Sequence, residues 1–368
     1  IYLWVARMII AGYKFKNELA FKDVYFNSII CDKDGKKFSK TLGNGIDPLE
    51  MIDQYGADAV RFTCVSLAPL GGRVRMGKED FSHGARFINK IWNASRFILS
   101  HLEPGKPLED FDPSKLPPEE KWLLNELSVV TESVSDHLNK YRINDAIDAI
   151  YQFIWSNFCD WGIESAKLSF KNPKTKDQTL SVLIYVLETS LRLASPIMPF
   201  ITEEIWQNLP KHPMLKREDS LMICEYPKHD DIPRLDSQGW DMVHDCIAAI
   251  RDLRAQAEIP PGEFINAYIE TSEPVFEKAA DVIEALAKTK IKPKFAGEFL
   301  GHFRKGYNVH IEVTLEDRVK HLSRVKSEYE RVKKIVTGLK AKIDNKNFMD
   351  RAPEEVRRST LEQFDNMN

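Results

Sequence analysis

The run Gly35-Lys36-Lys37-Phe38-Ser39-Lys40-Thr41-Leu42-Gly43-Asn44 brings cations, hydroxyls and two glycines together in one short segment. Lysine ammonium groups on a glycine-flanked loop can swing onto phosphates, and Ser39 and Thr41 can donate hydrogen bonds to phosphate oxygens. Phosphate binding is therefore what this combination could do, through Lys37, Lys40 and the two hydroxyls. The residue types alone also fit a plain solvated turn, because lysine-rich turns are common on surfaces. The flanking sequence decides between the two.

Ahead of the loop stand Val24-Tyr25-Phe26 and Ile29-Ile30-Cys31, rich in β-branched and aromatic residues and closed by the turn Asp32-Lys33-Asp34-Gly35, which predicts a strand feeding a loop. Behind it, Asp47-Pro48-Leu49-Glu50 supplies an N-cap, a proline at the first helical position and a carboxylate three residues after the cap, so a helix is expected from there to about Gly56. Residues 1 to 12 are apolar nearly all round, as in a core helix of a larger domain, with Gly12 expected to stop the run. The chain begins inside that apolar stretch without an initiator methionine, and is expected to be a piece of something longer.

From about residue 80 to 209 the pattern is helical. Leu123, Leu127, Val130, Val134, Leu138 and Tyr141 follow the three-four spacing of one buried stripe, and Ile143, Ile147, Ile150, Ile154, Phe158 and Trp161 form a second. Joints at Pro104-Gly105-Lys106-Pro107, Pro117-Pro118 and Asn172-Pro173-Lys174 divide the stretch into an antiparallel helix bundle. Residues 221–315 mix helices around Val243 to Ala257 and Val275 to Ala287 with strands near Phe264–Ile269 and Asn308–Val313, a small α/β unit. Beyond it, Leu322, Val325, Tyr329, Val332, Val336, Leu339 and Ile343 alternate spacings of three and four, the seam of a coiled coil. A loop at Asn345-Lys346-Asn347 and the start signal Ala352-Pro353-Glu354-Glu355 predict a short return arm ending at Asn368.

Composition bounds the possibilities. With 43% hydrophobic and 29% charged residues the 368-residue chain is globular and long enough for two to four compact units. Its net charge of −3 excludes a bulk polyanion binder, so any nucleic-acid contact must come from local basic surface. Such surface exists along the heptad segment, where Arg318, Lys320, Arg324, Lys326, Arg331, Lys333, Lys334, Lys340 and Lys342 face few acids. Five scattered cysteines show no zinc-ligand spacing, and no apolar run approaches the roughly 20 residues of a bilayer span. A reducing, cytoplasmic setting is expected.

Lys37-Phe38-Ser39-Lys40-Thr41 resembles the Lys-Met-Ser-Lys-Ser signature of class I aminoacyl-tRNA synthetases. Leu42-Gly43-Asn44-Gly45-Ile46-Asp47-Pro48 and Gly56-Ala57-Asp58-Ala59-Val60-Arg61 continue the resemblance. Trp4-Val5-Ala6-Arg7-Met8, Ala68-Pro69-Leu70-Gly71-Gly72-Arg73 and Cys159-Asp160-Trp161 are similar to the valyl branch in particular. With Asn89-Lys90-Ile91-Trp92-Asn93-Ala94-Ser95-Arg96-Phe97 and Ser195-Pro196-Ile197-Met198-Pro199-Phe200, the similarity spans nearly the whole chain. The fold it implies is mainly α: residues 1–66 as the end of a Rossmann-like α/β catalytic domain, 67–220 as an anticodon-binding helix bundle, 221–315 as an α/β junction unit and 316–368 as a basic coiled-coil hairpin.

The activity implied is ligation of valine to its tRNA with ATP and Mg²⁺, by way of valyl-adenylate, in a cytoplasmic monomer. Lys37, Ser39 and Lys40 would be catalytic. Thr41, Ile29 and Ile30 would join them around ATP, Trp4 would wall the valine pocket, and no metal site is expected within these residues. The tRNA would be held by Trp92, Asn93, Arg96 and Phe97 on one helix, which offer stacking surfaces and base-edge donors, and by Arg324, Lys326, Arg331, Lys333 and Lys334 on the hairpin. Helical spacing suits core packing for the aromatics equally well. Departures are Phe38 and Thr41 for Met and Ser, which keep an apolar anchor and a hydroxyl, and Asn27-Ser28 where relatives carry His-Gly. The His-Ile-Gly-His signature and the editing insert are absent from these residues, so the chain by itself is expected not to make adenylate. Two alternatives stay open: a stand-alone tRNA-binding module without catalysis, and an isoleucyl or leucyl relative.

Overall fold

A computed structural model describes residues 3–68, 71–237, 239–294, 297–345, 348 and 352–367. The expectations that involve Ile1, Tyr2, Pro69, Leu70, Lys346, Asn347 and Asn368 lie outside the described residues. Among the described residues the chain is mainly helical with two small sheets, and it divides into compact units at 1–238 and 239–368. Residues 221–237 pack on the helix bundle of the first unit: the Leu235 amide donates to Asn125 Oδ1 at 2.7 Å.

In the first unit, α1 (Val5–Lys16) runs through Gly12 and ends only at Asn17 in a left-handed conformation, φ 53°. Gly12 is not a stop. A Cβ there would stand 2.9 Å from the Glu18 carbonyl oxygen, so the glycine permits the chain to turn back closely against the helix. None of α1 is buried; Trp4 is 69% and Phe15 81% exposed. The expectation of a core helix is not met among the described residues, where the apolar side chains of α1 lie without cover.

Val24–Phe26 does not become a strand. Only β1 (Ile29–Cys31) does, because it alone has a partner, the parallel β2 (Arg73–Arg75). Between them lie α2 (Pro48–Tyr55) and α3 (Ala57–Ser66). Asp47 caps α2 by accepting the Leu49 amide at 2.9 Å, and Met51, Val60, Val74, Met76 and Phe81 close the core beneath.

The bundle comprises α4 (Phe81–Leu99), α5 (Pro118–Asn139), α6 (Ile143–Gln152), α7 (Glu164–Ser169), α8 (Pro173–Ala194) and α9 (Pro199–Asn208). Leu123, Leu127, Val130 and Val134 are buried as their spacing predicts, whereas Leu138 and Tyr141 reach the surface at the end of α5. Two recognised segments meet here. Arg61 Nε donates to the Ile197 carbonyl at 2.8 Å, and Asp58 accepts the Ile201 amide at 2.6 Å at the start of α9. A carboxylate from one helix thus caps another.

The α6 stripe continues through Phe153–Ile163 as a π-helix rather than an α-helix. Gly162 belongs to this widened turn, where a Cβ would come within 2.9 Å of Leu123. Such widening is rare and often accompanies function.

Glu120, buried on α5, accepts the Thr179 hydroxyl of α8 at 2.5 Å and has its pKa pushed up to about 7 by burial, from 4.5. The folded state therefore binds its proton more tightly than the unfolded chain. Stability is fully present below pH 4.5 and is lost as pH rises towards 7, by about 3 kcal/mol at 1.36 kcal/mol per unit. Urea titrations at pH 5 and pH 8 should show this loss in the natural sequence and a much flatter response in Glu120→Gln. Equal pH slopes would exclude a protonated Glu120.

In the second unit, α10 (Trp240–Gln256), α11 (Val275–Lys278) and α12 (Ala280–Ala287) accompany a sheet of order β4-β3-β6-β5, with β3 (Ile265–Thr271), β4 (Thr289–Ile291), β5 (Phe299–Arg304) and β6 (Tyr307–Glu312). The β3–β4 pair is parallel; β3–β6 and β5–β6 are antiparallel. Buried Arg254 of α10 is satisfied by four carbonyls, those of Ala287, Lys288, Pro260 and Glu263, which ties the end of α12 to α10.

Thr314 caps α13 (Leu315–Asp344), which packs against α14 (Glu354–Met367). The predicted seam is only half covered. Leu339 is buried and Val332, Val336 and Ile343 are half-buried, while Leu322, Val325 and Tyr329 are exposed. The reason is length: 30 residues of α13 against 14 of α14 leave the first part of the stripe without a partner.

Candidate functional site

The lysine loop is built on the end of β1. The Asp32 amide donates to the Lys36 carbonyl and Gly35, φ 82°, donates to the Asp32 carbonyl, both at 2.9 Å, so the chain reverses. Phe38 then donates to the Ile30 carbonyl at 3.2 Å, drawing the signature back beside the strand. Phe38 and Ser39 are half-buried, whereas Lys37, Lys40 and Thr41 are exposed. The apolar residue anchors the loop and both ammonium groups stay free to meet an anion. The Ser39 hydroxyl accepts the Thr41 amide at 3.3 Å, and the Ser39 carbonyl accepts the amides of Leu42 and Gly43 at 3.2 and 3.1 Å.

Asn44, whose residue type alone suggests no role, completes the fold of the loop: its Oδ1 accepts the Ser39 amide at 2.9 Å. Ile29 and Ile30 lie beside the loop with partly exposed side chains. Trp4 stands on the exposed end of α1 with the Arg7 guanidinium 5.1 Å from its ring centroid.

A second constellation lies in the bundle. A groove of about 540 Å³ between α4 and the π-helix is lined by Asn93 and Phe97, together with Lys90, Trp155, Asp160 and Lys167. Lys90 Nζ is 4.2 Å from the Trp155 centroid and 2.5 Å from Asp160 Oδ1, and Lys167 lies 5.5 Å from the Phe97 centroid. Both cations are held by carboxylates, Lys90 by Asp160 and Lys167 by Glu164 at 2.6 Å, so what the groove offers an unpaired base is its flat rings. Trp92 and Arg96 are exposed on α4 but do not line the groove, because the helical period turns them off its face. Cys159 also lines it, with its thiol pushed up to about 12 by burial, so it contributes a neutral, unreactive wall. Sequence reasoning misses Trp155 and Lys167; the Cys159-Asp160-Trp161 segment is the signal that could have led to them.

The hairpin cations divide into two groups. Arg324 pairs with Glu258 and Arg331 with Glu328. Lys326, Lys333 and Lys334 are exposed with no carboxylate partner among the described residues, and Lys333 Nζ lies 5.7 Å from the Tyr329 centroid.

Residues 1–77 match the model of class I tRNA synthetases (I, L, M and V), and residues 120–269 match the anticodon-binding domain of tRNA ligases. These two stretches are similar to the class I tRNA synthetases and to their anticodon-binding domain. Relatives over nearly the whole chain are valine–tRNA ligases: that of Thermotoga maritima is 36% identical over 99% of the chain, and that of Pseudothermotoga lettingae 37% identical over 97%. The chain spans 42% and 41% of the length of those two proteins. Among solved structures, Mycobacterium tuberculosis methionyl-tRNA synthetase in complex with methionyl-adenylate is 20% identical with a TM-score of 0.44, covering 51% of this chain and 38% of that one.

Proposed function

We propose that the chain is part of a valine–tRNA ligase, closing its catalytic domain with the lysine loop and holding valine tRNA with the groove and the hairpin. The observation that carries this is the loop itself, with Lys37 and Lys40 both exposed at the end of β1, in a chain that aligns almost throughout with valine–tRNA ligases. In the complete enzyme, valine carboxylate attacks the α-phosphorus of ATP, pyrophosphate leaves, and the adenylate then esterifies the 3′ end of the tRNA. Lys37 and Lys40 neutralise the phosphates, Ser39 and Thr41 donate to their oxygens, and Ile29 and Ile30 support the nucleotide. ATP enters with its own Mg²⁺. The uncovered apolar surface of α1 supports its place in a larger core, where Trp4 would wall the amino-acid pocket.

We place the end of the catalytic domain at residues 1–66 and the anticodon-binding bundle at 67–237, past the 220 expected from the sequence because 221–237 pack on it, with the α/β unit and the basic hairpin following, in a cytoplasmic monomer. Among the described residues no helix is long and apolar enough to cross a membrane. Valine-dependent exchange of pyrophosphate into ATP by the complete enzyme is the test. Exchange supported by isoleucine or leucine instead would assign the chain to another branch, and tRNA binding without exchange by any amino acid would make it a binding module.

Phosphate contact along α13 has its own signature. Reversing charge at Lys333 and Lys334 together is expected to weaken binding of a valine tRNA transcript and to lower the slope of log affinity against log salt by about 1 to 2. A slope equal to that of the natural sequence would remove these lysines from the interface.

A further inference from the structure

We infer that Asn44, backed by Asp32, is a latch that fixes the signature loop in its working conformation, a positioning residue for adenylate formation; the inference rests on the function proposed for the chain. Asn44 is half-buried and makes three hydrogen bonds through one amide. Its Oδ1 accepts the Ser39 amide at 2.9 Å, and its Nδ2 donates to Asp32 Oδ2 at 2.7 Å and to the Lys37 carbonyl at 3.3 Å. The backbone is thereby held at Lys37 and at Ser39, on either side of Phe38. Asp32 uses its other oxygen, Oδ1, to accept the Lys36 amide at 2.8 Å. One carboxylate therefore holds the turn that enters the loop and, through Asn44, the segment that leaves it.

The chemistry of these contacts allows one arrangement. With the amide reversed, its NH₂ would face the Ser39 N–H and its oxygen would face the Asp32 carboxylate and the Lys37 carbonyl, losing all three bonds and setting like groups against each other. The Asn44 hydrogen bond, the largest influence on Asp32, holds that carboxyl below its ordinary range, so it remains an ionised acceptor at neutral pH. The latch grips backbone atoms only and leaves the ammonium groups of Lys37 and Lys40 to the substrate. Without it, a loop carrying left-handed glycines at both ends, Gly35 at φ 82° and Gly43 at φ 62°, would sample many conformations. The Gly43-Asn44 pair that closes the signature run thus acquires a purpose that residue type alone does not disclose.

The test uses pyrophosphate exchange in the complete enzyme and hydrogen exchange at the Ser39 amide in the 368-residue chain. Asn44→Ala is expected to lower kcat on the order of 10²-fold, with the KM for valine unchanged, and to deprotect the Ser39 amide. Asn44→Asp sets two carboxylates against each other and should be at least as damaging. The reciprocal exchange, Asp32→Asn with Asn44→Asp, puts a carboxamide donor opposite a carboxylate acceptor that still receives the Ser39 amide. It should recover about tenfold or more of kcat over Asn44→Asp and restore protection, which a merely misfolded loop would not do. An Asn44→Ala enzyme with undiminished kcat, or a reciprocal variant no better than Asn44→Asp in both measurements, overturns the inference. Its failure is distinguishable from that of the proposed function: a disabled Lys40→Ala beside a fully active Asn44→Ala removes the latch alone, and a complete enzyme without valine-dependent exchange removes the function while Ser39 protection still reports on the latch.

Discussion

Replacing Lys40 by alanine should lower valine-dependent pyrophosphate exchange by roughly 10²- to 10³-fold, the cost of removing one preorganised charge from the transition state of a phosphoryl-type displacement. Lys40 is exposed and directly follows Ser39, whose amide is fixed to Asn44 at 2.9 Å, so the backbone that carries the ammonium group is held while the side chain is free to reach. Negative charge grows on the α-phosphate and on departing pyrophosphate, and a cation that meets it there acts more strongly than on ground-state ATP. The loss is expected mainly in kcat, with a smaller change in the KM for ATP. Lys37→Ala should cost less, and Lys40→Arg should retain part of the rate because charge survives while the geometry of a point donor does not. Steady-state exchange at saturating valine and varied ATP separates these effects. A Lys40→Ala enzyme as fast as the natural one would contradict the role assigned to the loop.

What could be read in the sequence was whatever depends on local spacing. Asp47 and Pro48 announce α2 because a cap and a fixed φ act within one turn, and Leu123 to Val134 mark a buried face because helical period alone determines it. The period does not say what lies opposite. Leu322, Val325 and Tyr329 belong to the same stripe as Leu339, yet are exposed because the returning helix is too short to reach them. Val24–Phe26 has strand-forming residues and, among the described residues, no strand to pair with. The groove joins Lys90 to Asp160, 70 residues apart, through a π-helix that widens a stripe still apolar at helical spacing. Asn44 is visible as a residue of the recognised run, but its use depends on the turn at Asp32 bringing both ends of the loop together.

Removing either member of the buried pair on α8 should be the most damaging change to stability, about 3–5 kcal/mol for Glu188→Ala or Arg192→Ala. The side chains of Arg192 and Glu188 are 8% and 1% exposed, and Arg192 Nη2 stands 2.5 Å from Glu188 Oε1. The same oxygen accepts the buried Trp206 indole N–H at 3.1 Å, and Arg192 Nη2 also donates to the Lys216 carbonyl at 2.6 Å. Glu188→Ala therefore strands a guanidinium in a low-dielectric interior and deprives an indole of its acceptor, while leaving a cavity between α8 and α9. Replacing both charges with apolar groups, Glu188→Leu with Arg192→Met, eliminates the unpaired charge and should cost well under the sum of the single changes. Urea unfolding followed by tryptophan fluorescence measures each variant, and the double-mutant cycle isolates the coupling. If Glu188→Ala unfolds within about 1 kcal/mol of the natural sequence, the pair is solvated rather than buried.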